Sequence, residues 1–299
     1  MRWTETFPRT GLRARRLWFT LHARDPVDLG SSPGAALRGA LLEALAERGH
    51  PPASCPATCP LCLLTASDPA WLRGRELPRP VTIEAASRGA RPGESWQFGL
   101  TLLGPAREEH AGFCAGVARA AERGIGRGRG RSTLVAVGDG PPFGEGDIDD
   151  QAVAAAVWPS SQLTLLFHSP LRLTAGRQLV HQVDLAVLVQ RLIERIAALS
   201  LRYGRPELGW EEWQVLSRSL AGQAATIRLV GENTRWQEAF STSRRSGRRT
   251  PLGGIVGWAR WEGAVEPLLP WLRWGEVLHV GKGAVKGNGW FGLVLGDSG

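Results

Sequence analysis

The sequence predicts an α+β protein made of two tandem ferredoxin-like domains of βαββαβ order, residues 1–150 and 151–299. Three observations carry that prediction. Each half reads strand, helix, strands, helix, strand; each places a glycine-rich run between its second helix and its last strand; and a stretch rich in Gly, Pro and Asp, 138–160, reads as the linker between them. The glycine spacing differs, with Gly124, Gly126, Gly128 and Gly130 in the first half and Gly281, Gly283, Gly287, Gly289 and Gly292 in the second. Duplication is therefore suggested by element order alone.

In the first half, RRLWFTLHA (15–23) is dense in β-formers and reads as a strand. SSPGAALRGALLEALAERGH (31–50) offers Ser32 as a cap, Pro33 at the first helical position, apolar residues at helical spacing and Gly49 as a stop. After a cysteine-bearing insertion, RPVTIEAA (79–86) and ESWQFGLTLLG (94–104) read as strands, and 105–123 as a helix leading into GIGRGRGRSTLVAV (124–137). In the second half, 162–174 reads as a strand and 183–204 as the longest amphipathic helix. Strands follow at 224–231 and 253–264, then a short helix over 265–275, a strand EVLHV, the glycine-rich run and WFGLVLG.

With 299 residues and 43% apolar content the chain can bury a real core. No apolar run approaches a membrane span, and the first sixteen residues lack the apolar segment of a signal peptide, so a soluble, cytoplasmic protein with no membrane partner is expected. The net charge of +8 and the pI near 10.4 point to a polyanion, because clustered cations gain affinity by releasing counterions from a phosphate backbone. The arginines cluster at Arg13, Arg15 and Arg16, at Arg123, Arg127, Arg129 and Arg131, and at Arg244, Arg245, Arg248 and Arg249. Only two basic residues are lysines, and both, Lys282 and Lys286, lie within GKGAVKGNGWFG. Glycines free the backbone to approach an anion, and an ammonium is a good phosphate point charge. The run fits neither a Walker loop, since each lysine is followed by glycine, nor a dinucleotide fingerprint, since it precedes the final strand. A tight structural turn is the competing reading.

Eight of the thirteen tryptophans follow residue 200. Trp236, beside an arginine cluster, is a candidate platform for stacked bases, whereas Trp258, Trp261, Trp271 and Trp274 read as core. Cys55, Cys59 and Cys62 form C-x3-C-x2-C, with Cys114 apart. Zinc with Cys114 or a histidine as fourth ligand is one reading. The [4Fe–4S] cluster of radical enzymes shares the spacing but needs a barrel that the element order does not supply. An unmetallated loop is the third.

The segment TPLGGIVGWARWEG…LLPWLRWGEVLHVGKGAVKGNGWF (250–291) closely resembles the C-terminal signature of the CRISPR-associated endoribonucleases that process precursor CRISPR RNA, the sixth-numbered Cas family of the RAMP superfamily. PGAALRGALLEAL, CPATCPLC, RPVTIEAA, GESWQFGLTLLG and AAERGIGRGRGR resemble the family's N-terminal segments in the same order. The resemblance implies two RRM-like, ferredoxin-like domains, a basic groove for repeat RNA, and the glycine-rich run as an RNA contact or a buttress of that groove. It also implies cleavage that needs no metal or cofactor: the ribose 2′-hydroxyl attacks in line and leaves a 2′,3′-cyclic phosphate. Mature guide RNA would be the product and other Cas subunits of an effector complex the onward partners.

That chemistry calls for a base, an acid and positive charge on the phosphate. Where family members carry a histidine in L-R-G-A-x-x-H-A-L, this chain reads LRGALLEAL, with Glu43 in its place. His50, two helical turns on, and His22, at the end of the first strand, are the substitute candidates. His279 matches the L-H-V-G-K register but reads as structural. Arg38, Arg127, Arg129 and Arg131 are the expected phosphate ligands of the first half; Arg244, Arg245, Arg248, Arg249, Lys282 and Lys286 are those of the second. Many family members carry one more cysteine in the insertion than this chain has. The substitution at Glu43 also allows an RNA-gripping subunit that cuts weakly or not at all.

Overall fold

The computed structural model describes residues 7–46, 59–65, 78–140, 146–242, 247 and 249–296. The chain divides into two compact units, Arg13–Asp147 and a second made of Met1–Leu12 with Ile148–Gly299. Each unit is an α+β domain with a four-stranded antiparallel sheet.

In the unit Arg13–Asp147 the elements are β1 (Ala14–Ala23), α1 (Pro33–Ala46), α2 (Pro60–Thr65), β2 (Val81–Ala85), β3 (Ser95–Leu103), α3 (His110–Arg123) and β4 (Ser132–Asp139). The strands run β2-β3-β1-β4, the order of a split βαβ pair. Along β1, Leu17, Phe19, Leu21 and Ala23 are buried among α1 and α3 residues while Trp18, Thr20 and His22 alternate to the other face, the period-2 signature of a one-sided sheet. Phe19 and Phe98 stack across the strands, ring centroids 5.1 Å apart. In α1, Leu37, Leu41, Ala44 and Leu45 form the buried stripe.

The other unit contains α4 (Asp150–Ala155), β5 (Gln162–Leu171), α5 (Leu185–Tyr203), α6 (Trp210–Ala224), β6 (Arg228–Gln237), β7 (Gly254–Glu262), α7 (Leu269–Leu278) and β8 (Phe291–Leu295). The sheet order β6-β7-β5-β8 repeats that of the first unit. Asp184 caps α5 by accepting from Val187 N, and Leu188, Leu192, Ile193 and Ile196 line its buried face.

Several expectations are corrected. The 138–160 stretch is not simply a linker: β4 runs to Asp139, and α4 is capped by Asp149, which accepts from Ala152 N at 2.9 Å. Residues 7–12 lie with the later part of the chain, because the Asp150 carboxylate accepts from Thr10 N, Thr10 Oγ1, Gly11 N and Trp274 Nε1. Helix α6 falls in a segment for which no element is expected. Its buried stripe is thin, Trp213, Ser217, Leu220 and Ala224, with Trp210 and Val215 exposed, which weakens the periodic signal. Of the strand expected at EVLHV, Glu276, Val277 and Leu278 are instead the last turn of α7, and His279 and Val280 follow it outside any strand. Every residue of that helix is buried, so it has no polar face to betray its period. Arg273 and Glu276 of α7 bond each other at 2.8 Å and bind the main chain of β8: Glu276 Oε1 accepts from Leu293 N and Arg273 Nη1 donates to Leu293 O. Trp261, Trp271 and Trp274 are core, but Trp258 is part-exposed, with the Arg260 guanidinium 5.9 Å from its ring.

Candidate nucleic-acid interface

The first glycine-rich turn joins α3 to β4. Ile125 and Gly130 exchange main-chain hydrogen bonds of 3.0 and 3.2 Å, closing a tight loop, and Arg127 N donates to Asp28 O at 2.7 Å. A Cβ on Gly126 would overlap the carbonyl oxygen of Asp28, and one on Gly130 that of Pro26. These glycines are therefore required for backbone to lie on backbone, which is the structural reading of the turn. The tip is different: Arg127, Gly128 and Arg129 are exposed, and nothing lies within 4 Å of where a Gly128 Cβ would stand.

The tip charges are partly matched by acids. Arg129, held at φ 53°, bonds Glu43 of α1 at 3.0 Å. Arg131 grips Asp25 through Nε at 2.6 Å and Nη2 at 3.3 Å. The Arg131 hydrogen bond holds the Asp25 carboxyl below its ordinary range, and Asp25 in turn raises the guanidinium. His22 stands exposed on β1, opposite Ser95 and Thr133, on the face away from α1. The structure does not bring it beside Glu43. His50 lies outside the described residues.

Arg38 is not on an open surface. Its Nη2 donates to Leu64 O at 2.9 Å, tying α2 to α1, and burial, then the charge of Arg79, pushes its guanidinium below the usual value. The Arg13, Arg15 and Arg16 cluster is likewise committed, to Asp147, Asp139 and Glu84; the last pair is almost fully buried and Thr101 donates to the same carboxylate at 2.7 Å. Neighbouring arginines in sequence thus end in different ion pairs.

The second glycine-rich turn joins α7 to β8. Gly281, Gly283, Gly287 and Gly289 all have φ between 70° and 85°, the left-handed region that glycine enters without strain. A single helical turn over Ala284–Lys286 sits between them. Lys282 N donates to Arg172 O at 3.0 Å and Gly289 N to Pro170 O at 3.1 Å, while a Cβ on Gly289 would overlap the carbonyl of Val280. Buried Asn288 fastens the turn from below through Nδ2 to Leu252 O at 2.7 Å. Lys282 is exposed at the tip and Lys286 is half-buried.

Arg172, unremarked in the sequence, is the junction of this end. Its carbonyl holds the turn, its Nη1 donates to Gly253 O at 2.9 Å, and its guanidinium lies 5.9 Å from the Trp236 ring. No local pattern announces such a role. Trp236 is no open platform: its indole donates to Glu238 at 2.7 Å and packs against His181, centroids 4.5 Å apart. Arg249 places its guanidinium 3.7 Å from the Phe240 ring; Arg244, Arg245 and Arg248 lie outside the described residues. His279 is buried at φ 59° where α7 ends, not on a strand, and its ring stacks at 6.4 Å on Trp290, which also packs against exposed His168 at 4.6 Å.

Cys59, Cys62 and Cys114 are half-buried, and burial pushes the Cys114 thiol up against a smaller opposing effect of Arg15. Cys55 lies outside the described residues, and among those described no three His, Cys, Asp or Glu side chains gather as a metal site. No described helix is long and apolar enough to cross a membrane.

Two family models match the chain. The N-terminal-domain family AF_1859_N covers residues 12–160, and the CRISPR-associated endoribonuclease Cas6 family covers residues 165–291. No curated protein matches the sequence. Among solved structures, a Cas6 product complex aligns with a TM-score of 0.63 at 16% identity over 94% of this chain and 99% of that one. Thermus thermophilus Cas6 aligns with a TM-score of 0.60 at 16% identity, covering 95% and 99%. A partial Cas6-RT-Cas1–Cas2 complex aligns with a TM-score of 0.61 at 13% identity over 96% of this chain and 47% of that one. The segment 165–291 belongs to the CRISPR-associated endoribonuclease Cas6 family, and the chain as a whole shares the tandem ferredoxin-like fold of the solved Cas6 structures.

Proposed function

We propose that the chain binds CRISPR repeat RNA and cuts it into guide RNA without a metal ion. The ribose 2′-oxygen bonds to the adjoining phosphorus as the P–O5′ bond breaks. A base takes the 2′-proton, an acid protonates the 5′-oxygen, and the products are a 2′,3′-cyclic phosphate and a 5′-hydroxyl. One observation carries the reading: two sheets of the same topology each end in a glycine turn that lays backbone on backbone and lifts cations, Arg127 and Arg129 or Lys282, to an exposed tip. Fixed cations on a rigid turn suit a phosphate chain, because little order is lost when it binds. His22, exposed on β1, is the proposed proton-transfer residue among those described, with His50 as the second candidate. Other Cas proteins are the proposed partners, as the neighbour solved with Cas1 and Cas2 suggests. A structural zinc on Cys55, Cys59, Cys62 and Cys114 is proposed for the insertion, and elemental analysis of the purified chain checks it.

A second reading is favoured by the Glu43–Arg129 ion pair. It sets a carboxylate, already engaged, at the register where the family resemblance calls for histidine, so the chain would grip repeat RNA and cut poorly. Incubation of the pure protein with repeat transcripts in EDTA separates the two. Discrete cleavage with a cyclic phosphate end, lost in His22→Ala or His50→Ala, supports the enzyme. Tight binding of intact RNA supports the gripping subunit, and no binding at all refutes both.

A further inference from the structure

We propose that His181 is a stacking contact for one unpaired nucleobase of the RNA, an inference that rests on the RNA-binding reading above. The imidazole is placed by structure on both sides. A two-residue hairpin, Thr174–Ala175 against Gln178–Leu179, returns the chain so that Val180 N bonds Leu173 O at 3.0 Å, and four residues later Asp184 caps α5. His181 is thus fixed between a closed hairpin and a helix start, yet its side chain is exposed.

Its ring lies on Trp236, with centroids 4.5 Å apart and planes tilted by 38°. Trp236 cannot turn freely, since its indole N–H is held by Glu238 Oε1 at 2.7 Å and the Arg172 guanidinium sits 5.9 Å from its centroid. Arg172 is also the residue whose carbonyl holds Lys282 N in the glycine turn. Guanidinium and imidazole both lie against the indole, so the glycine turn held by Arg172 and the exposed imidazole ring share one aromatic neighbour. The sequence nominates Trp236 as the platform; the structure shows that indole engaged and makes His181 the exposed ring. An imidazole backed by an indole is a flat, pre-ordered surface of the kind on which unstacked RNA bases settle with little regard to sequence.

The test uses the full chain and a repeat transcript in which each unpaired adenine in turn is replaced by 2-aminopurine, whose fluorescence falls when it stacks. One position is expected to be quenched by wild type and by His181→Phe, which keeps the ring, but not by His181→Ala. His181→Ala should bind about tenfold more weakly with an unchanged salt slope, because the contact is to a base and not to phosphate. Equal affinity and quenching for wild type and His181→Ala would overturn the inference while leaving RNA binding intact. A flattened salt slope in His181→Ala would overturn it too, by making the contact a phosphate contact. Failure of wild type to bind the transcript would instead remove the functional reading on which it stands.

Discussion

The two glycine turns solve the same packing problem and leave different charges at the surface. In the first, Gly126 and Gly130 seat the loop on the carbonyls of Asp28 and Pro26, and two of its arginines meet acids: Arg129 bonds Glu43 and Arg131 bonds Asp25. In the second, Gly281 and Gly289 seat the loop on Arg172 and Val280, and the exposed Lys282 is held through its main-chain N–H, which leaves the ammonium at the tip. Glycine content therefore sets where the backbone can go, and the acids brought by neighbouring elements set how much positive charge is left to meet a polyanion. The second turn should carry more of the RNA affinity than its two lysines suggest beside so many arginines.

The most damaging change should be Gly289→Ala. It forces a Cβ against the Val280 carbonyl at φ 70°, and a loss of about 3 kcal/mol of stability is expected, together with loss of RNA binding. Thermal unfolding and a binding titration check it; Gly128→Ala, in the open tip of the first turn, should cost only the φ strain of about 1 kcal/mol.

Next in size, Lys282→Ala should weaken RNA binding and flatten the plot of log K against log salt by about 0.7, the slope of one single-strand phosphate contact. Arg131→Ala, which removes a guanidinium already shared with Asp25, should change that slope less. An equal effect of the two would erase the distinction between the turns.

Glu43→Ala sharpens the comparison in the opposite direction. Freed of its partner, Arg129 should tighten RNA binding a fewfold and steepen the salt dependence by about one phosphate contact. Glu43→His should also raise cleavage in EDTA if α1 holds the catalytic position that the family resemblance implies.

The smallest effect is a pH dependence. Arg131 lowers the folded-state pKa of Asp25, so the pair contributes stability above the ordinary carboxylate value of 3.8, lost as pH falls through the lower folded value. Asp25→Asn should lower stability by a constant amount near neutrality and remove its fall in that acid window, as followed by urea unfolding across pH.

Much of the fold can be read from the chain because its strands are one-sided. The alternation in RRLWFTLHA and the helical stripe of Leu37, Leu41 and Leu45 both point to the buried face. Helix α7 cannot be read that way, since burial on every side removes its period and its last turn looks like a strand. The glycine runs are legible as turns, but that Gly289 faces the Val280 carbonyl is a tertiary fact. The arginine clusters are the least legible part of the site. Arg16, Arg38 and Arg131 look alike in sequence, and only distant partners, Glu84, Leu64 and Asp25, decide that one is buried, one is a tether and one is paired at the surface.

On the proposed function, the tips of both turns meet RNA. Photo-crosslinking of a 4-thiouridine repeat transcript to the full chain, followed by mass spectrometry of the peptides, tests it most directly. Adducts within 124–131 and 281–289, the latter in greater yield, are predicted; adducts confined to other segments, with both turns unmodified, would contradict it.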